Sequence, residues 1–321
     1  MPQDIKFIDL FAGVGGFHLA FKHKAECVFI SEWDKKARET YLNNFGEEIE
    51  KYNIPFVEDI ASIDPYSIPD HDVLCAGFPC QPFSLAGKKE GFLHPTQGTL
   101  FFNIVEIIKA KKPRVVFLEN VKNLRSHDKG RTYQVILDTL AEEGYYVRDS
   151  ILNGSTHGNT PQNRERIFIV AFKNEEDFEK FDFPEPIELT KRVVDCLEEG
   201  EIPAKYYQTN MESPSVIKMH EGMTKKWIIY QYRRFYMREN MSGVCPTLTA
   251  NMGTGGHNVP LIMDNKGIRK LTPRECFNFQ GFPDDFIIEG VSDSHLYKQA
   301  GNSVVLPVVS RIADRIISSI A

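Results

Sequence analysis

Short, continuously apolar runs alternate with amphipathic patterns through the first half of the chain, and this alternation restricts the fold more than any other feature. Apolar runs without polar alternation are typical of strands buried on both faces, as in parallel sheets that helices cover. The sequence therefore predicts an α/β fold with a doubly wound, mostly parallel sheet. The predicted strands are residues 7–11, 27–31, 56–60, 73–76, 115–118 and 167–172, and the predicted helices are residues 34–44, 100–110 and 133–143.

The pattern changes near Pro184 and Pro186. From there to about residue 269 the alternation of strands and helices is lost, while basic and aromatic residues become more frequent. The apolar spacing of residues 303–320 then predicts a closing helix. We therefore expect a first domain of residues 1–188, completed by residues 272–321, and a smaller, irregular domain of residues 189–271.

The composition argues against several classes of protein. None of the 321 residues lies in an apolar stretch near the ~18 residues of a membrane span, and the N-terminus lacks the layout of a signal peptide. We expect a cytoplasmic protein with no membrane partner. The six cysteines form no C-x-x-C pair, which argues against a metal site. The net charge of −6 is unusual for a nucleic-acid-binding protein, but residues 225–238 include five basic and five aromatic residues and no acid.

A glycine-rich turn, DLFAGVGG at residues 9–16, follows the first predicted strand. Gly13 and Gly15 would let the backbone turn tightly and approach a ligand, although plain strand–helix packing would use the same residues. The spacing is not G-x-G-x-x-G, which disfavours a dinucleotide.

Polar residues follow the second predicted strand and end the third. Glu32 could bind both hydroxyls of a ribose, and Trp33 could stack on an adenine. The alternative is that Asp34 caps a helix and Trp33 is packed. Asp59 could accept a hydrogen bond from an adenine amino group. Because the carboxyl ends of neighbouring strands meet at one crevice, these residues together predict a site for an adenosine-containing cofactor.

Cys80 lies between two prolines, in GFPCQPFS at residues 77–84, directly after the fourth predicted strand. Prolines fix the backbone, so the thiol would be held on a rigid turn. A nucleophilic cysteine also needs positive charge or a helix end nearby. Cys75, in the strand itself, is expected to be inert. The polar, glycine-containing residues 84–98 could close over a substrate.

Two further motifs follow strand ends. Glu119 is either a solvated loop residue or an acid–base group. Arg166, in QNRER at residues 162–166, enters the strand at 167–172 and is expected to point into the same crevice. A guanidinium there could donate hydrogen bonds to a carbonyl and stabilise a carboxylate or thiolate, or it could belong to a surface ion-pair cluster.

Together the motifs resemble a known family. DLFAGVGG, EWD, GFPCQPFS, ENV, QNRER, RKLTPRECFNFQGFPDDF and GNSVV occur in the order found in DNA (cytosine-5) methyltransferases, including compact bacterial restriction–modification enzymes. The variable stretch from about 190 to 268 falls where that family keeps its target recognition domain. The resemblance implies a Rossmann-like methyltransferase fold, double-stranded DNA as substrate, and S-adenosyl-L-methionine as cofactor, with S-adenosyl-L-homocysteine as its product.

The resemblance also implies roles for particular residues. Cys80 would be the nucleophile, Glu119 would act at cytosine N3, and Arg166 would contact cytosine O2 with Arg164 assisting. No metal is expected. The residues expected at the cofactor are Phe11, Gly13, Gly15, Glu32, Trp33, Asp59, Ile60, Pro79, Asn302, Ser303 and Val304.

The target cytosine would have to leave the duplex for this chemistry, at a cost of a few kcal/mol. Residues 225–238 and 247–257 are the candidates for DNA contact, and arginines there could read guanine O6 and N7. The alternative for 225–238 is an amphipathic strand pair with a solvated face. The expected DNA-contact residues are Ser84, Lys88, Lys89, Arg233, Arg234, Arg238, Thr249, Asn251, Gly255 and Gly256.

Three other functions remain open from the sequence. A tRNA cytosine-5 methyltransferase would be expected to have little sequence between QNRER and RKLTPREC, where this chain has roughly 100 residues. A catalytically silent DNA-binding homologue would not need Cys80, Glu119 and Arg166. A nicotinamide oxidoreductase would need a different glycine spacing, and the fold alone decides nothing. We expect a monomer that shares its DNA site with a cognate restriction endonuclease, without a stable complex.

Overall fold

A seven-stranded sheet forms the centre of the protein. The computed structural model describes residues 5–79, 100–233, 236–254 and 258–321. The strand order is β3-β2-β1-β4-β5-β8-β6. These strands are β1 (Lys6–Leu10), β2 (Glu26–Ser31), β3 (Phe56–Val57), β4 (Val73–Gly77), β5 (Val115–Val121), β6 (Tyr146–Asn153) and β8 (Glu165–Phe172).

The sheet is mostly parallel, as predicted. The five strands from β3 to β5 pair in parallel, whereas β8 runs antiparallel to both of its neighbours, β5 and β6. The prediction missed β6, because most of its residues are half-buried and polar ones interrupt its apolar residues. The predicted strand 56–60 is wrong beyond Val57, because the Asp59 side chain accepts a hydrogen bond from Ala61 N and starts a 3₁₀ turn.

Helices cover both faces of the sheet. Alternate residues of one strand enter opposite cores: Phe7 and Phe117 pack in one apolar cluster, and Ile8 and Leu118 in the other. The long helices are α2 (Lys35–Tyr52), α3 (Leu100–Lys111), α4 (Arg131–Glu142), α9 (Asp293–Asn302) and α10 (Leu306–Ile320). The shorter helices are α1 (Gly16–Phe21), α5 (Gly154–His157), α6 (Glu175–Lys180), α7 (Pro214–Gly222) and α8 (Pro273–Phe279).

The segment expected to be irregular contains a second, antiparallel sheet of order β10-β9-β12-β13. Each of its strands is only three to five residues long, too short for a clear alternation in the sequence. Part of the segment has its own small apolar cluster, but Val193 and Ile229 belong to the main core. The division at residue 188 therefore stays a prediction. The remaining strands are β7 (Gln162–Asn163), β9 (Ile229–Arg233), β10 (Tyr236–Glu239), β11 (Cys245–Pro246), β12 (Leu261–Met263) and β13 (Ile268–Lys270).

Among the residues that the structure describes, no helix combines the length and the apolar character needed to cross a bilayer.

Candidate active site and polar groove

One cavity of about 450 Å³ opens at the carboxyl ends of the central strands, and we call it the main cavity. Three of the four predicted catalytic residues line it together with most of the predicted cofactor residues. The structure thus places both predicted sites in one continuous space. The predicted residues that line it are Phe11, Gly13, Glu32, Trp33, Pro79, Glu119, Arg164, Arg166, Asn302, Ser303 and Val304.

Glu32 is held at the end of β2 by two backbone amides. Its Oε2 accepts a hydrogen bond from Gly13 N at 2.7 Å, and its Oε1 accepts one from Asp34 N at 2.6 Å. Burial raises the pKa of this carboxyl, against the two amide hydrogen bonds. Each carboxylate oxygen has a second lone pair, so a fixed pair of acceptors remains for hydroxyl donors in the cavity.

The Trp33 side chain is largely exposed, at 73% of its surface. Asp34 does cap α2, since its carboxylate accepts hydrogen bonds from Lys36 N and Ala37 N. The alternative of a packed tryptophan is therefore wrong, although its helix cap is confirmed. The exposed indole is a free aromatic face beside the Glu32 carboxylate.

The glycine-rich turn leaves open space at Gly13 and is tightly packed at Gly15. Phe11 adopts a φ of 54°, which is strained for a residue other than glycine, and such strain is typical of functional sites. A Cβ on Gly13 would meet no atom within 4 Å, so the turn leaves open space there. A Cβ on Gly15 would lie 2.4 Å from a ring carbon of Phe45, so Gly15 allows the turn and α2 to approach each other.

Three predicted cofactor residues are absent from the lining of the main cavity among the described residues: Gly15, Asp59 and Ile60. The Asp59 carboxylate accepts a hydrogen bond from Ala61 N at 2.9 Å. In this structure Asp59 thus caps a local turn, and Gly15 serves packing.

Glu119 and Arg166 form an ion pair inside the cavity. Arg166 Nε lies 3.1 Å from Glu119 Oε1, and the two side chains are 15% and 12% exposed. Burial raises the pKa of Glu119, and the charges of Arg166 and Arg164 oppose that rise. Glu119 is therefore not a solvated loop residue, and its ion pair with Arg166 is not part of a surface cluster.

Asn120 is a site residue that the sequence reasoning missed. It is buried, its Nδ2 donates to the Phe78 carbonyl at 2.8 Å, and its Oδ1 accepts from Val121 N. It thereby ties the end of β5 to the chain two residues before Cys80. A polar residue directly after an apolar strand was the available signal.

Cys80 lies outside the described residues, but the other cysteines are informative. All five are buried and free. Burial raises the pKa of Cys196 to about 12 and holds the pKa values of the others well above the ordinary range. A thiol in this state is a poor nucleophile, so Cys80 is the remaining candidate. The other four are Cys27, Cys75, Cys245 and Cys276.

Arg164 was expected to assist Arg166 at cytosine O2, but its hydrogen bonds go to the protein backbone. It is 2% exposed, and its two terminal nitrogens donate to the backbone carbonyls of Leu248, Gly301 and Ser303. Its terminal nitrogens are thus engaged by the protein backbone, whereas Arg166 reaches the Glu119 carboxylate.

A second hollow of about 430 Å³, which we call the polar groove, lies beside the second sheet. Among the described residues that line it there is no carboxylate, whereas two arginines and several amides and hydroxyls are present. Strands β9 and β10 do form the antiparallel pair considered as an alternative, and Arg233 and Arg238 are exposed on it. Four expected DNA-contact residues line the groove: Arg233, Arg238, Thr249 and Asn251.

The other expected DNA-contact residues lie outside the described part of the chain. These are Ser84, Lys88, Lys89, Arg234, Gly255 and Gly256.

Comparisons with known proteins identify the family. The model of a family described as C-5 cytosine-specific DNA methylase matches residues 5–318. The Type II methyltransferase M.Bsp6I of Bacillus sp. (strain RFL6) is 49% identical over 318 residues, covering 98% of this chain and 99% of that protein. The Type II methyltransferase M.HhaI of Haemophilus parahaemolyticus is 43% identical over 333 residues, covering 98% of this chain and 95% of that protein.

Solved structures support the fold. The S. pombe Dnmt2 methyltransferase covers 98% of this chain and 99% of its own, with a TM-score of 0.74 and 19% identity. At that identity the likeness shows the fold alone. The family match and the two Type II relatives reach further, and they show that this chain belongs to the C-5 cytosine-specific DNA methylases.

Proposed function

We propose that this DNA cytosine methyltransferase acts on a flipped-out cytosine of a short duplex sequence, with S-adenosyl-L-methionine as methyl donor and Cys80 as nucleophile. The observation that carries the proposal is the buried Glu119–Arg166 pair, which shares one cavity with Glu32 and Trp33. A cofactor pocket and an acid–base pair in one space suit group transfer between two bound molecules.

The residues present fit an adenosine-containing methyl donor. Glu32 keeps lone pairs free for ribose hydroxyls, Trp33 offers an exposed indole for the adenine, and the open space above Gly13 admits the ligand close to the backbone. Asn302, Ser303 and Val304 line the same cavity from the C-terminal side. S-adenosyl-L-methionine would supply a methyl group on a sulfonium, which is electrophilic without a metal.

Cys80 makes the target carbon reactive. Its thiolate adds to C6 of cytosine, a C–S bond forms, and the electron pair of the C5–C6 double bond moves toward N3. C5 is then an enamine-like carbon that can take the sulfonium methyl, whose bond to sulfur would break to leave S-adenosyl-L-homocysteine. Loss of the C5 proton to a base, return of the N3 proton to Glu119 and departure of the thiolate restore the aromatic ring. Asn120 supports this step by fixing the carbonyl of Phe78, close in sequence to the nucleophile.

Glu119 handles the charge that develops on the ring. Because burial raises its pKa, the neutral acid persists to a higher pH than in a solvated glutamate, and it can donate a proton or hydrogen bond to N3. General acid catalysis of this kind contributes roughly 10²–10⁴-fold. Arg166 holds the Glu119 carboxyl in place through Nε, its Nη1 donates to the Glu165 carbonyl at 2.9 Å, and its Nη2 can donate to cytosine O2.

The polar groove is the proposed contact for the duplex, with residues 189–271 as the target recognition domain. Its lining of arginines, amides and hydroxyls suits phosphate and base-edge contacts. The Type II relatives support a role in modification, beside a cognate restriction endonuclease that acts on the same site without a stable complex. The proposal includes a monomeric enzyme that acts on DNA in the cytoplasm.

A methylation assay tests the proposal. The protein is incubated with radiolabelled S-adenosyl-L-methionine and either unmethylated genomic duplex DNA or total tRNA, and the modified positions are read by bisulfite sequencing. We expect label in C5 of cytosine within one short duplex sequence, and none with Cys80→Ala. Label in tRNA alone, or undiminished transfer by Cys80→Ala, would overturn the proposal.

A further inference from the structure

Arg164 is the most deeply buried cation of the site, and its hydrogen bonds go to carbonyl oxygens. Nη1 donates to Leu248 O at 2.6 Å, and Nη2 donates to Gly301 O at 2.9 Å and Ser303 O at 2.7 Å. Burying a charge is costly unless its donors are engaged, and here the planar fork engages three acceptors through its terminal nitrogens, whereas the buried Nε has no hydrogen-bond partner among the described residues. This side chain therefore sets the relative positions of the backbones that it joins.

The joined backbones belong to two different binding sites. Leu248 directly precedes Thr249, which lines the polar groove. Gly301 and Ser303 line the main cavity on its cofactor side. One guanidinium thus bridges the segment that would meet the duplex and the segment that would meet the cofactor.

The same two segments also touch each other directly. A Cβ on Gly301 would lie 2.2 Å from the carbonyl carbon of Thr249 and 2.4 Å from Ala250 N. Backbone atoms cannot yield as a flexible side chain can, so no free space separates the two segments. A displacement of one is transmitted to the other.

Neighbours of Arg164 strengthen the junction. Gln162 Oε1 accepts a hydrogen bond from Leu248 N at 3.1 Å, and Gln162 Nε2 donates to Phe279 O at 2.8 Å. Thr247 Oγ1 donates to Asn163 O at 2.6 Å. Arg166, two residues further along, holds Glu119. The groove, the cofactor side and the catalytic carboxyl therefore meet on five consecutive residues.

We propose that Arg164 is a positioning residue that couples duplex binding to cofactor binding, by holding residues 248–250 and 301–303 on one guanidinium. The inference rests on the proposed function of both sites. A ligand that orders one segment reduces the ordering that remains for the other, so each ligand binds more tightly in the presence of its partner. Linkage makes the effect reciprocal.

The test is a binding cycle that needs no turnover. The affinity for S-adenosyl-L-homocysteine is measured by calorimetry with and without a saturating duplex that carries the sequence methylated by the wild-type enzyme. We expect the duplex to tighten binding about tenfold, within the usual range of such coupling. In Arg164→Lys, which keeps the charge but loses the planar fork, the factor should fall below about twofold.

Arg269→Lys is the matched control. Arg269 is also 2% exposed, but its donors bind Asp264 and Glu275, away from the two joined segments. This variant should lose stability and keep the wild-type coupling factor. Equal loss of coupling in both variants would mean that destabilisation alone causes it, and would overturn the inference.

Gly301→Ala tests the junction if Arg164→Lys does not fold. Its added Cβ pushes residues 249–250 from the other side without a change of charge, and should also reduce the factor. A wild-type enzyme that methylates duplex but binds S-adenosyl-L-homocysteine equally with and without it overturns the inference and leaves the proposed function intact. A coupling factor in Arg164→Lys or Gly301→Ala equal to that of the wild-type enzyme also overturns the inference and leaves the proposed function intact. A wild-type protein that does not methylate duplex DNA overturns both the inference and the proposed function.

Discussion

Arg166 Nε lies 3.1 Å from Glu119 Oε1 inside the main cavity, and the position of this ion pair governs the chemistry that the cavity can perform. Burial favours the neutral carboxyl, whereas the guanidinium favours the carboxylate. The balance leaves the pKa of Glu119 raised, so its neutral acid persists to higher pH than that of a solvated glutamate. An acid with a raised pKa suits the proposed proton donation to a pyrimidine ring.

The pH dependence of methyl transfer should reveal this carboxyl. In the proposed mechanism the neutral acid is the active form. Because its pKa is raised, the single-turnover rate should fall as pH rises through that pKa, at higher pH than for a solvated glutamate. Glu119→Gln should lower the rate roughly 10²–10⁴-fold and remove this limb. A pH–rate profile at saturating duplex and cofactor checks both. The same limb in Glu119→Gln would assign it to another group.

Arg166→Gln separates the charge of the ion pair from the carboxyl itself. Without the guanidinium that favours the carboxylate, the pKa of Glu119 rises further, so the falling limb should move to higher pH while the rate decreases. The same pH–rate profile measures the shift. A limb that moves to lower pH would contradict the assigned electrostatics.

Stability should fall with pH because of Asp9, on the buried strand β1. Burial raises its pKa to about 8, the charge of Glu32 adds to the rise, and the hydrogen bond from His18 N opposes it. Its Oδ1 has no hydrogen-bond partner among the described residues. The folded state therefore holds a proton that the unfolded chain releases above its ordinary pKa of 3.8.

The sign of this effect follows from linkage. The contribution is fully present below pH 3.8 and is lost as pH rises toward about 8, with a slope of at most about 1.4 kcal/mol per pH unit. Asp9→Asn should remove this slope and keep the acceptor for His18 N. Urea unfolding between pH 5 and pH 8 measures it, in steps of about one pH unit. Identical slopes in both proteins would show that Asp9 ionises normally.

Substitution of Trp33 should lower the affinity for the cofactor and leave the free energy of unfolding almost unchanged. Because the side chain is 73% exposed, Trp33→Ala should change the free energy of unfolding by no more than about 0.5 kcal/mol. Loss of stacking should weaken S-adenosyl-L-homocysteine binding by roughly 1 kcal/mol, and Trp33→Phe should restore most of it. Calorimetry gives the affinities. Unchanged affinity in Trp33→Ala would place the adenine elsewhere.

The arginines of the polar groove should carry duplex binding. Arg233→Ala and Arg238→Ala should each weaken duplex binding. If these arginines read bases, the loss should be ~1–3 kcal/mol and depend on the DNA sequence. If they contact phosphates, the loss should be the same for all sequences, and the slope of log affinity against log salt concentration should fall by about one. Fluorescence anisotropy over a salt series distinguishes the two. Arg131→Ala, on α4 and outside the groove lining, is the control. Equal losses in all three variants would count against the groove.

The strands that the sequence predicted correctly are those that appear in it as continuous apolar runs. Strands β2, β4 and β5 are largely buried, so they appear as apolar runs, and their ends locate Glu32, Cys80 and Glu119. The edge strand β6 is partly exposed and the strands of the second sheet are short, so both lack that signal. The hydrogen-bond partners of Arg164 and Asn120 could not be predicted, because they come from segments far apart in sequence.

Trapping the covalent intermediate tests the account most directly. A duplex with 5-fluorocytosine at the methylated position is incubated with the protein and S-adenosyl-L-methionine, and the product is digested and analysed by mass spectrometry. Because fluorine at C5 cannot leave as a proton does, the thioether to C6 should persist, and the adduct should map to Cys80 in stoichiometric yield. Absence of any adduct from a protein that methylates the ordinary duplex, or an adduct at a different residue, would contradict the account.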